Sequence, residues 1–92
     1  MKVNSNFVLR NIYGEHLLIP VRANNVGDEI IAFNEVGADI WKLAEQRLSE
    51  NDIIHNMLQS YGLEENSVEE MAIQSFVDEL FDRGLLFREE EE

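Results

Sequence analysis

The sequence contains no cysteine, a single proline and only seven basic side chains, and each shortage excludes a class of protein. Without thiols there is neither a disulfide framework nor a thiolate metal site, so stability must come from packing, as suits a reducing compartment. No apolar run approaches the roughly 20 residues of a membrane span. The opening Met1-Lys2-Val3-Asn4-Ser5-Asn6 leads into no signal-type apolar segment, so the expectation is a cytoplasmic protein with no membrane partner. The 7 bases stand against 19 acids, for a net charge of −12. Nucleic-acid affinity rests on cations that displace phosphate counterions, and a surface of this sign repels a duplex.

Catalytic equipment is equally scarce. His16, in a strand-forming run, and His55, off the apolar stripe of a helix, read as two solvated side chains and not as metal ligands or an acid–base pair. No serine stands in a Gly-x-Ser-x-Gly elbow, and the five glycines are too scattered to cradle a phosphate. Glu69-Glu70 and Asp78-Glu79 fall at outward helical positions, where the helix dipole and solubility account for them. No catalytic residue, metal site or cofactor site is predicted, and the chain is read as non-enzymatic.

What the 92 residues do contain is one domain's worth of alternating structure signals. Phe7 to Tyr13 and His16 to Val21 are strand-forming runs around Gly14-Glu15, which suits a type II′ hairpin. Pro20 places its part of the second strand at an edge or bulge, because it has no N–H to give a ladder. Arg22 to Asp28 reads as a polar loop into a third strand, Glu29 to Phe33. There the pattern changes within one residue: Asn34 is an N-cap, with Glu35 favouring the positive end of the helix dipole. The first helix, about Glu35 to Arg47, carries Val36, Ile40, Leu43 and Ala44 on one stripe and Trp41 on its flank. Gly37 in its first turn costs about 1 kcal/mol relative to alanine, and suggests that another backbone comes close.

Ser49 with Asp52, and Ser67 with Glu70, have capping-box spacing and open a second and a third helix. Gly62 and Gly84 end them, and Leu85-Leu86-Phe87 return to the core. The domain is expected to span residues 1–88, leaving 89–92 as an acidic disordered tail. The third helix is unusual. Val68, Ala72, Phe76, Leu80, Ile73, Val77 and Phe81 sweep roughly 220°, against a usual stripe of little over 100°. Either the helix is sandwiched inside the core, or one shoulder, with Ile73, Val77 and Phe81 as candidates, lines a groove. Charge is also uneven: residues 1–48 hold 6 acids and 5 bases, residues 49–92 hold 13 acids and 2 bases. The helical half is thus the acidic half, and would prefer a basic partner.

Three strands followed by three helices outline an α+β fold, a winged helix-turn-helix with a three-stranded antiparallel sheet. Three stretches resemble the PqqD family, the pyrroloquinoline quinone biosynthesis protein D type. They are Phe7-Val8-Leu9-Arg10 with Leu17-Leu18-Ile19-Pro20-Val21, then Asn34-Glu35-Val36-Gly37-Ala38-Asp39-Ile40-Trp41, then Glu79-Leu80-Phe81-Asp82-Arg83-Gly84-Leu85-Leu86. The resemblance implies a peptide chaperone, a recognition element that binds the leader of a ribosomally made precursor peptide. It implies delivery of that leader to a modifying enzyme, often a radical S-adenosylmethionine protein. It further implies that the leader adds as a strand beside the third strand, in a cleft against the third helix. Carried onto this chain, Glu29, Ile30, Ile31, Ala32 and Phe33 would pair with the peptide backbone, and Ile73, Val77 and Phe81 would contact its side chains. Nothing in the sequence forms a quinone site. Two other readings are a winged-helix DNA-binding protein, opposed by the acids of the third helix, and a non-catalytic scaffold or regulatory subunit. An open strand edge could also pair two copies into a homodimer.

Overall fold

The computed structural model describes residues 1–21 and 30–88. The predicted loop Arg22 to Asp28, the site candidate Glu29 and the predicted tail 89–92 lie outside the described residues. In chain order the elements are β1 (Lys2–Val3), β2 (Phe7–Ile12), β3 (Glu15–Pro20), β4 (Ile31–Phe33), α1 (Glu35–Glu45), α2 (Glu50–Tyr61), α3 (Val68–Asp82) and β5 (Leu86–Phe87). This is the expected α+β arrangement, a three-stranded antiparallel sheet in the order β2-β3-β4 followed by three helices.

β1 and β5 were not legible in the sequence. Two residues each, they are too short to show alternation, and Asn4 beside them clasps the turn that precedes β5. Its N–H donates to the Leu85 carbonyl at 2.9 Å and its side-chain amide to the Gly84 carbonyl at 2.9 Å.

The hairpin turn also differs from the expectation. Six residue pairs, from Phe7↔Pro20 to Ile12↔Glu15, place Tyr13 and Gly14 at the turn, both with positive φ (52° and 82°). That is the signature of a type I′ turn, whose twist matches the flanking strands, and the Asn11 side chain steadies it by accepting from the Gly14 N–H at 3.1 Å. Pro20 ends β3 beyond the last residue paired with β4, so its missing N–H breaks no bond to that strand.

All three helix starts are capped as the sequence indicates. Asn34 Oδ1 accepts from the Gly37 N–H at 2.8 Å, and the Ser49 and Ser67 hydroxyls accept from Asp52 and Glu70 N–H at 3.1 Å each. Each such cap contributes about 1 kcal/mol. The Glu70 carboxylate reaches back to the Asn66 N–H, one residue further than in a standard capping box.

The core gathers Leu18 and Phe33 from the sheet with Ile40, Trp41, Ala44, Ile53, Met57, Ile73, Val77, Leu80, Leu85 and Leu86. Trp41 does not lie on the flank of α1 but at the centre of this cluster, fully buried, with its indole N–H on Glu45 Oε2 at 3.1 Å. Its polar edge is thereby satisfied within one helical turn, which leaves the rings free to pack.

Gly37 sits where three elements meet. A Cβ built there would lie 2.9 Å from Phe76 Cζ and 3.3 Å from Phe33 Cγ. The close neighbour is therefore a ring, not a backbone. Replacing Gly37 with alanine would gain about 1 kcal/mol of helix propensity but overpack this contact, which typically costs about 1–3 kcal/mol. Gly37→Ala is expected to lower the melting temperature by several degrees. In a Phe76→Leu background the same change should be neutral or stabilising, and equal losses in both backgrounds would show that Phe76 is not the obstacle.

Candidate functional site

β4 is an edge strand. It pairs with β3 through Ile31↔Leu18, Ala32↔Leu17 and Phe33↔His16, and among the described residues no other strand pairs with it. Of the candidate residues there, Ile30 is 59 % exposed, Ala32 is exposed, Ile31 is half-buried and Phe33 is buried at 8 %. Alternation explains the order: Phe33 and Ile31 point toward the core, Ala32 away from it. His16, opposite Phe33, is not solvated as expected; its side chain is 14 % exposed, with Nε2 3.5 Å from Glu35 Oε2.

Beside the end of β4 lies a cavity of about 440 Å³. Asn34, Val36 and Gly37 supply one wall from the start of α1, and Tyr61 and Leu63 close it from the end of α2. Glu69, Ala72, Ile73 and Phe76 of α3 form the opposite wall. The Phe76 ring meets Phe33 edge-on at 5.6 Å between centroids, so the wall of the cavity is fastened directly to the edge strand.

The broad apolar arc of α3 is therefore resolved into a core-facing centre and two unlike shoulders. Ile73 borders the cavity. Val77 is completely buried and offers no free surface. Phe81 lies on the far shoulder, half-buried, with the Arg88 guanidinium 4.0 Å above its ring and that guanidinium in turn 3.2 Å from Glu50 Oε1. The open shoulder is the one carrying Ala72 and Phe76. Of the shoulder expected from the sequence only Ile73 borders the cavity, because the helical period defines an arc and not which flank of it is covered.

The polar groups at the cavity suit binding better than proton transfer. Tyr61 donates its hydroxyl to Asp39 Oδ2 at 2.6 Å, and this hydrogen bond to a carboxylate, helped by desolvation and the nearby negative charge of Asp39 and Glu35, pushes its pKa up to about 12. A phenol held protonated and already committed to a carboxylate is no general base near neutrality. Among the described residues no polar or charged side chain is buried, and no cluster of His, Asp or Glu is arranged to hold a metal ion. No described helix is long and apolar enough to cross a membrane.

Residues 15–86 match the family model described as coenzyme PQQ synthesis protein D, PqqD. The chain belongs to the PqqD family. Among solved structures it resembles one described as TbiB1 in complex with the TbiA(beta) leader peptide, at a TM-score of 0.72 and 23% identity over 94% of each chain. That likeness establishes a shared fold. No curated protein matches the sequence significantly. The family match begins at Glu15 and ends at Leu86, so it spans the β3–β4 edge, the cavity and all of α3.

The Tyr61 hydrogen bond is directly measurable. Because the folded pKa lies above the ordinary value near 10, the stability it contributes is intact below pH 10 and is lost as pH climbs through about 12. Ultraviolet titration of the phenolate band should place Tyr61 near 12, and Asp39→Ala should bring that transition down toward 10. No movement in Asp39→Ala would show that Asp39 is not the cause.

Proposed function

We propose that this PqqD-family domain binds the leader segment of a ribosomally made precursor peptide by strand addition and presents it to a modifying enzyme, a radical S-adenosylmethionine enzyme being the expected class. The observation that carries the proposal is an edge strand, β4, with no strand on its outer side among the described residues and an apolar cavity at its end. Family membership supports it, and so does the fold shared with TbiB1, a protein whose solved structure includes a leader peptide.

Each part has a physical task. An unpaired edge offers N–H and C=O groups that a peptide backbone can satisfy with little regard to sequence, so affinity comes from the ladder and selectivity from adjoining pockets. Residues 30–33 supply the ladder on this reading, with Glu29 extending it. Ile73, Ala72 and Phe76 meet the leader's side chains, while Val77 and Phe81 keep α3 in position. The domain itself does no chemistry. It acts in the cytoplasm and hands the bound peptide to the enzyme, which requires that binding be reversible. Ordering a flexible leader costs about 2–5 kcal/mol, which keeps the affinity within that limit. A second copy of the chain would compete for the same edge, so a homodimer formed through β4 dissociates when peptide binds.

The test is a titration of the full chain with the leader of a precursor encoded beside its gene, followed by amide hydrogen exchange. Saturable binding with new protection at the amides of residues 30–33 is expected. Binding that leaves those amides unprotected would rule out strand addition.

A further inference from the structure

The cavity beside β4 is apolar within and acidic at its mouth. Val36, Leu63, Ala72, Ile73 and Phe76 give it carbon walls, whereas Glu69 lines it from the first turn of α3. Tyr61, at the opposite lip, lies within electrostatic reach of Asp39 and Glu35. Among the described residues no lysine or arginine lines it, and the Glu69 carboxylate makes no hydrogen bond or ion pair. Among the described residues His16 approaches Glu35, whose side chain stays 83 % exposed.

Two helix starts also converge here, and their dipoles favour anions. Each is equivalent to roughly half a positive charge, and the Asn34 and Ser67 caps already engage their N–H groups. Among the described residues the Glu69 carboxylate on the lining and the Asp39 carboxylate bonded to Tyr61 outweigh that by about one charge. The mouth is thus negative, and it adjoins a volume in the range of small ligand pockets.

We infer that the cavity selects leaders in which a bulky apolar residue is followed or preceded, two positions away, by lysine or arginine, with Glu69 as the residue that reads the cation. This rests on the leader-binding reading. In an extended strand, residues i and i+2 project from the same face roughly 7 Å apart. An apolar side chain seated between Val36 and Phe76 therefore brings a long basic side chain at i±2 to the rim where Glu69 stands. The adjacent residue, at i±1, points to the other face and is not read. Because Glu69 is exposed, the ion pair is screened and modest, about two- to fivefold in affinity. That is enough to rank leaders without making release slow.

The experiment selects random 12-residue peptides displayed on phage against the full chain, then measures chosen synthetic peptides by fluorescence anisotropy with wild type, Glu69→Gln and Glu69→Lys. Enrichment of an apolar residue with lysine or arginine at i±2 is expected. Those peptides should weaken two- to fivefold in Glu69→Gln, weaken further in Glu69→Lys, and lose the difference in high salt, while peptides with glutamate at i±2 should bind better to Glu69→Lys. That gain also shows that the reversed variant is folded. Peptides that protect the amides of residues 30–33 but carry no charge bias, or bind all three proteins alike, would overturn the inference and leave leader binding standing. Failure of every peptide to protect those amides would remove the leader-binding reading, and the inference with it.

Discussion

The edge-on contact of Phe76 with Phe33, passing over Gly37, holds the candidate site in shape. It joins three elements that are distant in sequence, the edge strand β4, the first turn of α1 and the middle of α3. An aromatic pair of this kind adds only about 0.5–1.5 kcal/mol beyond its burial. Its geometric consequence is larger. With no Cβ at Gly37 the ring can lie against the helix, and α3 settles with Ala72 and Ile73 facing the mouth of the cavity. Any larger residue at position 37 pushes Phe76 away and with it the wall that Phe76 belongs to. The glycine that looks costly in a helical turn is what allows sheet and helix to approach.

The same arrangement separates two tasks that one groove must perform. The core side of α3, through Ile73, Val77 and Leu80, anchors the helix in the common core beside α2 and β5, and Arg88 lies over Phe81 on the far shoulder. The near shoulder, with Ala72 and Phe76, faces the cavity. Tyr61, tied to Asp39, fastens the end of α2 to α1 and so fixes the third side of the cavity. A pocket whose walls are tied together in this way is shaped before a ligand arrives, and preorganisation of that kind lowers the cost of binding.

Features set by a few neighbouring residues were legible in the sequence. The caps at Asn34, Ser49 and Ser67, the glycine end of α2 and the succession of three sheet strands and three helices depend on local hydrogen bonding and period, and they stand as the sequence indicates. Features that need a distant partner were not. The turn slipped by one residue, to Tyr13-Gly14, because register is set by the whole β2–β3 ladder and not by the glycine alone. Trp41 moved from flank to centre because Phe33, outside the helix, packs against it. For the candidate site, the expected third strand lies at a sheet edge and Ile73 borders the cavity, whereas nothing in the helical period marks Phe76 as the wall next to the strand. Gly37 did carry a signal of close approach; what it could not say was that the neighbour is a ring.

The brevity of β4 then bears on how the domain works. Among the described residues β4 pairs through three, a short template, so on the strand-addition reading a ladder built on it contributes a few hydrogen bonds, each with a net value of about 0.5–1.5 kcal/mol. Against an ordering cost of about 2–5 kcal/mol for a flexible peptide, backbone pairing alone roughly breaks even. The surplus must come from side chains entering the cavity, where burying one large apolar group is worth about 1.5–3 kcal/mol. On the strand-addition reading, discrimination therefore resides in the cavity while the strand edge sets the direction of the peptide. A longer edge would bind any extended segment and release none of them quickly; a short edge beside a shaped pocket holds the right segment only while the pocket is filled.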